Sequence, residues 1–408
     1  MRADADQIIR AALIKAMPDK AVQDALSGRN FGGGRLKMLA VGKAGWQMAK
    51  AACDALGEKI DQGVVITKYQ HGKGNLPNTR IFEAAHPVPD LNGVAATRAA
   101  VEMVKGLTAE DTVLFLVSGG GSALFEQPLV PLEVLADVNR QLLACGADIT
   151  QMNTIRKRLS AVKGGRFAAL CAPAKVLTIA LSDVLGDDPA VIASGPAYPD
   201  SSTSAEALEI VKQYGLKFSG DILRLLGRET PKTLDNVETV IAGSVRHLCT
   251  AAADVCRTLG YEPVLLTDSL CCTARDAGSF LASVAQTHRN ADRSLAWIAG
   301  GETVVKLTGK GLGGRNQELA LAAAIGLDGL QNTALFSVGS DGTDGPTDAA
   351  GGYVDGHTAQ ALREKGLDIL DFLNDNDSYH ALEACGGLIV TGPTGTNVND
   401  LVTLLIRR

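Results

Sequence analysis

Residues 112–122 read TVLFLVSGGGS: a near-continuous apolar run, then three glycines between two serines. An apolar run without alternation is what a strand needs when both faces of its sheet are covered, as in a parallel sheet flanked by helices. The run stops at Ser118-Gly119-Gly120-Gly121-Ser122, and a helix-like segment follows. Glycines there let the backbone approach an anion closely, because no Cβ intervenes and positive φ is permitted. The loop reads either as a tight turn or as a phosphate or carboxylate site. Its position off a buried strand favours the site.

The same pattern extends to either side. Upstream, residues 35–41 read as a strand, Gly42-Lys43-Ala44-Gly45 as a turn, the segment to about Leu56 as a helix and VVITK (64–68) as the next strand. Strand, turn, helix and strand in series announce a layered α/β domain. The turn resembles a Walker lysine loop, but Ala44 stands where Ser or Thr is required. Lys43 is then either a surface lysine or an anion ligand at a helix N-terminus, where the dipole favours negative charge by about 0.3–1 kcal/mol. His86-Pro-Val-Pro-Asp90 reads as a rigid turn carrying a structural histidine.

Downstream, Asn153 to Ser160 and Lys163 to Arg166 form a dense basic run in an acidic chain. It is a solvated helix face or a focus for a polyanion. KVLTIAL (175–181) reads as a strand ending in Ser182-Asp183, and ligands of open α/β sheets gather at that edge. Asp183 there could hold Mg²⁺, accept a proton or cap a turn. Ser194-Gly195-Pro196 is a further anion-capable turn.

Residues 200–238 look like a polar helical boundary, and TVIAG (239–243) like the start of a second α/β pattern. AWIAG and ETVVKL supply its strand material up to Gly309. From Gly309 to Gly352 come GKGLGGRNQE, an apolar helix-like run and SVGSDGTDGPTDAAGG, with Arg315, Asp328, Asp341, Asp344 and Asp348. Glycine turns beside an arginine and carboxylates suit a metal-bound polyphosphate. Residues 309–314 also satisfy G-x-G-x-x-G between an expected strand and a helix, the dinucleotide fingerprint, although Asp341 lies later than the ~20-residue spacing. Thr391 to Asn397 form one more Gly-rich loop. At the other end, Ile8, Ile9, Ala12, Leu13 and Ala16 mark a leading helix over residues 4–26.

The 408 residues suit two or three domains, and 46% apolar with 21% charged residues is a globular composition. A net charge of −6 and 4% aromatics exclude a general nucleic-acid platform. Eight cysteines without a C-x-x-C pair read as reduced, mostly buried thiols. With no run of about 18 apolar residues and no apolar signal core, no membrane span is expected and the cytoplasm is the expected location.

Taken together the motifs resemble the class II glycerate kinases, the glycerate 2-kinase family whose C-terminal part is called MOFRL. The carriers are VGKAGWQMA (41–49), SGGGSAL (118–124), NTIRKRLSAVKGGR (153–166), SDVLGDDPAVIASGPAYPD (182–200), GGETVVKLTGKGLGGRNQELAL (300–321), GSDGTDGPTDAAGG (339–352) and TGPTGTNVND (391–400). The resemblance implies two α/β domains: a Rossmann-like one with a mostly parallel sheet over 1–235, and a smaller MOFRL-type one over 236–408, with the active site in the cleft between them. It implies transfer of the ATP γ-phosphoryl group to the 2-hydroxyl of D-glycerate with Mg²⁺. Small-molecule partners and a homodimer are expected, with no nucleic acid and no membrane. Lys43 and Arg315 match the family's proposed catalytic pair, and Asp183 joins them. Ser118, Gly119, Gly120, Gly121, Ser122, Asn153, Arg156 and Lys163 are the expected substrate contacts. Ser194, Gly195, Gly313, Gly314, Asn316, Gly342, Thr343, Thr394 and Asn397 are the expected nucleotide contacts, and Asp183, Asp341 and Asp344 the metal ligands. CCTARDAG (271–278) departs from the family's usual Gly-Glu-Ala helix opening. The alternatives are an NAD(P)H-dependent hydroxypyruvate reductase and a non-catalytic binder of organic acids or phosphates.

Overall fold

The computed structural model describes residues 1–408 and divides into two compact units. One, the parallel-sheet unit, comprises Ala21–Ser182 and Asp187–Ala242; the other, the mixed-sheet unit, comprises Met1–Lys20, Asp183–Gly186 and Gly243–Arg408.

The parallel-sheet unit is built on β1 (Leu36–Val41), β2 (Ile60–Lys68), β3 (Thr79–Ala84), β4 (Thr112–Val117), β5 (Lys175–Leu181) and β6 (Val237–Gly243). Their order is β3-β2-β1-β4-β5-β6, and the pairs from β3 to β5 are all parallel. Every residue of β1 and β4 is buried, which is why 112–117 carries no polar–apolar alternation. Leu114 and Leu116 pack with Met38, Ala40 and the helix Gly45–Leu56 through Met48, Ala49 and Ala52. The chain runs outward from β1 to β3, then returns to place β4 on β1's other side. The sheet therefore reverses its order between β1 and β4, and the crevice beyond the carboxyl ends of two such strands is where open α/β sheets bind ligands.

The mixed-sheet unit has β7 (Glu262–Leu270), β8 (Leu295–Gly301), β9 (Thr333–Gly339), β10 (Gly351–Asp355), β11 (Leu388–Ile389) and β12 (Asp400–Ile406), in the order β11-β10-β9-β12-β8-β7. β12 runs antiparallel to both β8 and β9, so its first residue, Asp400, lies opposite Gly301 and Gly339 at their carboxyl ends. The helix Arg315–Leu327 crosses this sheet with almost every side chain buried. Its alanines, with Gly278 and Gly326, allow close approach of the helix Ala274–Thr287: a Cβ on Gly278 would stand 2.2 Å from the Leu319 carbonyl oxygen.

Three sequence expectations change. The leading helix is two, Arg2–Lys15 and Pro18–Leu26, because a proline has no N–H to give and is accommodated at the first helical turn instead of the interior. The first of them packs in the mixed-sheet unit, with Ile8, Ile9 and Ala12 in one core with Leu248, Ala252 and Cys256. TVIAG does not open the second domain: it lies in β6, at the edge of the parallel sheet, so the change of unit falls at 242–243 and not at 235–236. ETVVKL forms no strand. It makes one isolated bridge, Thr273 to Val304, and leaves Val304 and Leu307 exposed. All eight cysteines are free thiols, and Cys271 and Cys272 are exposed. No helix is long and apolar enough to cross a membrane.

Candidate active site

At the order reversal of the parallel sheet, the turn after β1 and the turn after β4 are stitched together. Lys43 N–H donates to the Gly119 carbonyl at 2.9 Å, and Ala44 N–H to Ser118 Oγ at 3.1 Å. Gly42 has φ 118°, and a Cβ there would stand 2.2 Å from Ser118 Oγ, so this position excludes any side chain. Thr67 Oγ1 donates to the Gly42 carbonyl at 2.9 Å, fixing the turn from the β2 side. Lys43 thus leaves a rigid backbone just before the helix Gly45–Leu56, whose first-turn amides favour an anion.

Two of the three loop glycines sit where a side chain would be crowded. Gly120 adopts φ 87°, and a Cβ there would lie 3.0 Å from His86 Cδ2 and 3.3 Å from Lys43 Cγ. Gly121 opens the short helix Gly121–Leu124, where a Cβ would meet Ala193 Cβ at 2.7 Å. Ala193, Ser194 and Gly195 all have positive φ (50°, 64° and 64°), an arrangement unfavourable for the two that carry side chains. Ser194 Oγ lies 2.9 Å from Ser122 Oγ and 3.4 Å from Asn153 Oδ1. The strained turn therefore joins the β4 loop to the basic helix Ile149–Arg158.

The basic run itself is turned inward, which corrects both readings of it as an exposed face or a free field of positive charge. Arg158 is fully buried and pairs with Asp200 and Glu229. Lys157 pairs with Asp200 at 3.1 Å, and Arg166 donates to the carbonyls of Lys157 and Ser160. Lys163, 2% exposed, donates to the Ser122 carbonyl at 2.7 Å and to Glu126. Arg156 Nε donates to Asn139 Oδ1 at 2.7 Å, and burial lowers its pKa. Of these cations Lys163 is the one that bonds the Ser118–Ser122 loop, through the Ser122 carbonyl.

In the mixed-sheet unit Arg315 is the first residue of its helix. Its guanidinium grips Asp400 through Nε (2.5 Å) and Nη2 (3.0 Å), and Glu302 through Nη1 (2.9 Å). Burial raises the Asp400 pKa while Arg315 opposes that rise. Arg315 stays about one third exposed, so its charge is held in direction without being enclosed. The next two amides meet Asp344: Asn316 N–H donates to Oδ1 at 3.1 Å and Gln317 N–H to Oδ2 at 2.8 Å. Gly314 carries no cap of its own, so this distant carboxylate caps the helix. Burial pushes Asp344 up to about 6 despite both amides. With both oxygens engaged and the side chain buried, Asp344 serves the helix instead of presenting itself as a metal ligand. Asn316 Nδ2 faces Asp344, and its Oδ1 accepts from Ser337 Oγ at 2.5 Å.

Asp341 Oδ1 accepts from Thr343 N–H at 3.0 Å, leaving a carboxylate that is only half-buried. Thr394 Oγ1 donates to the Ser340 carbonyl at 2.5 Å, and a Cβ on Gly342 would stand 2.0 Å from the Gly392 oxygen. The 340–343 turn and the loop holding Thr394 and Asn397 therefore form one packed pair. Asp328 and Asp348 are elsewhere engaged, with Arg363 and Tyr379. Asp183 leads out of β5 and belongs to the mixed-sheet unit.

The fingerprint glycines have a different use from the one their spacing implies. No strand immediately precedes them, since β8 ends at Gly301. A Cβ on Gly309, Gly311 or Gly313 would strike Asp375, Asp377 or Ser378 within 2.3 Å, and one on Gly314 would strike Asp344 at the same distance. The run is small because its own chain lies against it. Sequence reasoning missed His86, Asp400, Glu302 and Ser337. Only Asp400 had a local signal, opening a strand beside a Gly-rich loop.

Comparison with known proteins adds to this geometry. Residues 4–227 match a family described as a domain of unknown function, DUF4147, and residues 295–400 match the MOFRL family. The chain is 51% identical over 406 residues to a Thermotoga maritima protein named D-glycerate 2-kinase, covering 98% of this chain and 97% of that one. It is 40% identical over 420 residues to an Agrobacterium vitis protein named putative hydroxypyruvate reductase, covering 98% and 93%. A crystal structure of glycerate kinase from Thermotoga maritima matches with a TM-score of 0.96 at 51% identity, covering 99% of each chain.

Proposed function

The chain belongs to the glycerate kinase family that joins a DUF4147 region to a MOFRL region, and from that premise we propose that it is a glycerate 2-kinase. It transfers the γ-phosphoryl group of ATP to the 2-hydroxyl of D-glycerate, giving 2-phosphoglycerate and ADP. The observation that carries the reading is Lys43, fixed against the triple-glycine loop where the parallel sheet reverses its order. The first βα turn of a dinucleotide fold carries G-x-G-x-x-G, whereas this one carries a single lysine between two glycines. The fingerprint at 309–314, which favoured the reductase, is occupied by the chain itself.

Phosphoryl transfer asks mainly for positioning and charge neutralisation. In the parallel-sheet unit Lys43 supplies positive charge for the transferring group, and in the mixed-sheet unit Arg315 supplies positive charge for a phosphate. The Ser118–Ser122 backbone receives the glycerate carboxylate, with Asn153, Arg156 and Lys163 supporting it through Ser194, the neighbouring helix and Ser122. In the mixed-sheet unit Gly313, Gly314, Asn316, the Gly342–Thr343 turn, Thr394 and Asn397 shape a nucleotide side; in the parallel-sheet unit Ser194 and Gly195 form a nucleotide-binding turn of their own. Magnesium uses one or two carboxylates beside substrate phosphates and water, and the donor set suits this: Asp341 retains an uncommitted carboxylate oxygen, and Asp183 follows a strand end. These two residues would hold the ion, which supplies charge neutralisation between phosphates when bound.

The test is an assay with D-glycerate, ATP and Mg²⁺, coupled to enolase without phosphoglycerate mutase. Absorbance from phosphoenolpyruvate is expected, since enolase accepts the 2-phosphate directly. Absence of ATP consumption, with NADH consumed in the presence of hydroxypyruvate, overturns the reading.

A further inference from the structure

We propose that His86 is a catalytic residue of the parallel-sheet unit, its ring accepting the proton of the glycerate 2-hydroxyl beside Lys43. The inference rests on the kinase reading above and adds a residue that the sequence presents only as part of a turn.

The backbone around His86 is held firmly. Asp90, four residues on, caps the helix Leu91–Met103 by accepting from Gly93 N–H at 2.8 Å, and it also accepts from the Tyr69 hydroxyl at 2.7 Å. The turn joins β3 to that helix and brings the imidazole over Gly120, where an added Cβ would lie 3.0 Å from Cδ2 and 3.2 Å from Nε2. Lys43 Cγ approaches the same point at 3.3 Å. An imidazole edge and a lysine stem thus flank Gly120, whose positive φ of 87° already disfavours a side chain. His71 is close in sequence but differently used, its Nδ1 lying 3.0 Å from the Lys43 carbonyl.

The surroundings keep the ring in its basic form. Burial lowers the His86 pKa, and the charges of Lys43, Lys68 and His71 lower it further. Lys43 comes from the turn after β1, and Lys68 and His71 from the end of β2 and the turn after it. The nearest carboxylate on its own turn, Asp90, is engaged with Tyr69 and Gly93. A neutral imidazole among cations can take a proton at neutral pH, when an ordinary histidine is already partly protonated. In the transfer, the glycerate oxygen forms its bond to the γ-phosphorus as the bond from that phosphorus to the bridging oxygen breaks. ADP leaves with the electron pair, and the hydroxyl proton passes to Nε2 and then to solvent.

The test compares wild type, His86→Gln and His86→Asn across pH 5–9 with saturating ATP and Mg²⁺. Loss of a general base is expected to lower kcat about 10²–10⁴-fold with little change in the KM for glycerate. The acid limb of the wild-type kcat profile, set below the ordinary histidine value, should disappear. A folded variant that keeps kcat within about threefold, or keeps the acid limb, overturns the role of His86 while leaving the kinase reading intact. A wild-type protein that does not phosphorylate glycerate overturns both. A second measurement needs no variant: diethyl pyrocarbonate modification of His86, read by peptide mass spectrometry, should slow severalfold when D-glycerate is present. An unchanged rate at saturating D-glycerate overturns the proposal.

Discussion

Asp344→Asn gives the sharpest test of how the Arg315 helix is held. The wild-type carboxylate is 3% exposed and receives two helix amides, and its pKa stands at about 6 against 3.8 in the open chain. A folded-state value above the unfolded one means that the native state binds the proton more tightly. Its contribution to stability is therefore complete below about pH 3.8 and disappears as pH rises through 6. At 1.36 kcal/mol per pH unit the whole effect is about 3 kcal/mol, of which about 2 kcal/mol falls between pH 4.5 and 7.5. An asparagine does not titrate and lacks that gain at acid pH. It also sets an NH₂ group against one of the two amides, forfeiting a charge-assisted bond worth about 1.5–3 kcal/mol, while at neutral pH it relieves the cost of burying a charge. The variant should therefore lie close to wild type at pH 7.5 and fall behind it by about 2 kcal/mol more at pH 4.5. Urea unfolding of both proteins in a Trp46→Phe background checks this, because buried Trp297 then reports on the mixed-sheet unit alone. A gap between variant and wild type that is the same at both pH values would refute the argument.

Two substitutions address the phosphoryl group. Arg315→Lys keeps a charge but loses the bidentate grip on Asp400, so kcat should fall about 10³-fold with circular dichroism unchanged; wild-type turnover would remove Arg315 from the chemistry. Lys43→Met should lower kcat about 10²–10³-fold without disturbing the fold, because the stitching of its turn to Ser118 and Gly119 runs through backbone and not through its ammonium group. A drop in melting temperature accompanying the loss would show that the ammonium is structural.

Much of this was legible in the residues. The unalternating run 112–117 announced a strand covered on both faces, and the turns at Gly42 and Ser118 marked its carboxyl edge. What stayed hidden depends on pairings that periodicity does not encode. TVIAG reads equally well as the first strand of one sheet or the last of another, and only its neighbour β5 decides. The leading helix shows its apolar stripe but not its partner, Val245–Thr258, more than 200 residues away. The basic run is the clearest case. Its charge density suits an exposed anion site, yet Asp200, Glu126 and Glu229 arrive from elsewhere in the unit and turn Lys157, Arg158 and Lys163 inward. His86 was missed for the converse reason, since its significance lies in Gly120, on a different strand-end loop.

The two glycine clusters show why composition alone does not locate a ligand. Both follow an apolar segment and both open a helix, so a pattern search scores them alike. At Gly309, Gly311 and Gly313 the volume that a Cβ would take is already filled by backbone or by short side chains of residues 375–378. Small residues there permit the chain to pack on itself, and substituting them would disturb folding first. At Gly120 the nearest atoms are the imidazole edge of His86 and the stem of Lys43, two side chains with chemistry of their own. The physical distinction is what a glycine makes room for: structural neighbours in one case, reactive groups beside a strand-end crevice in the other. By that criterion the motif that points to a dinucleotide marks a packed support, and the proposed phosphoryl site centres on Lys43, His86 and Gly120.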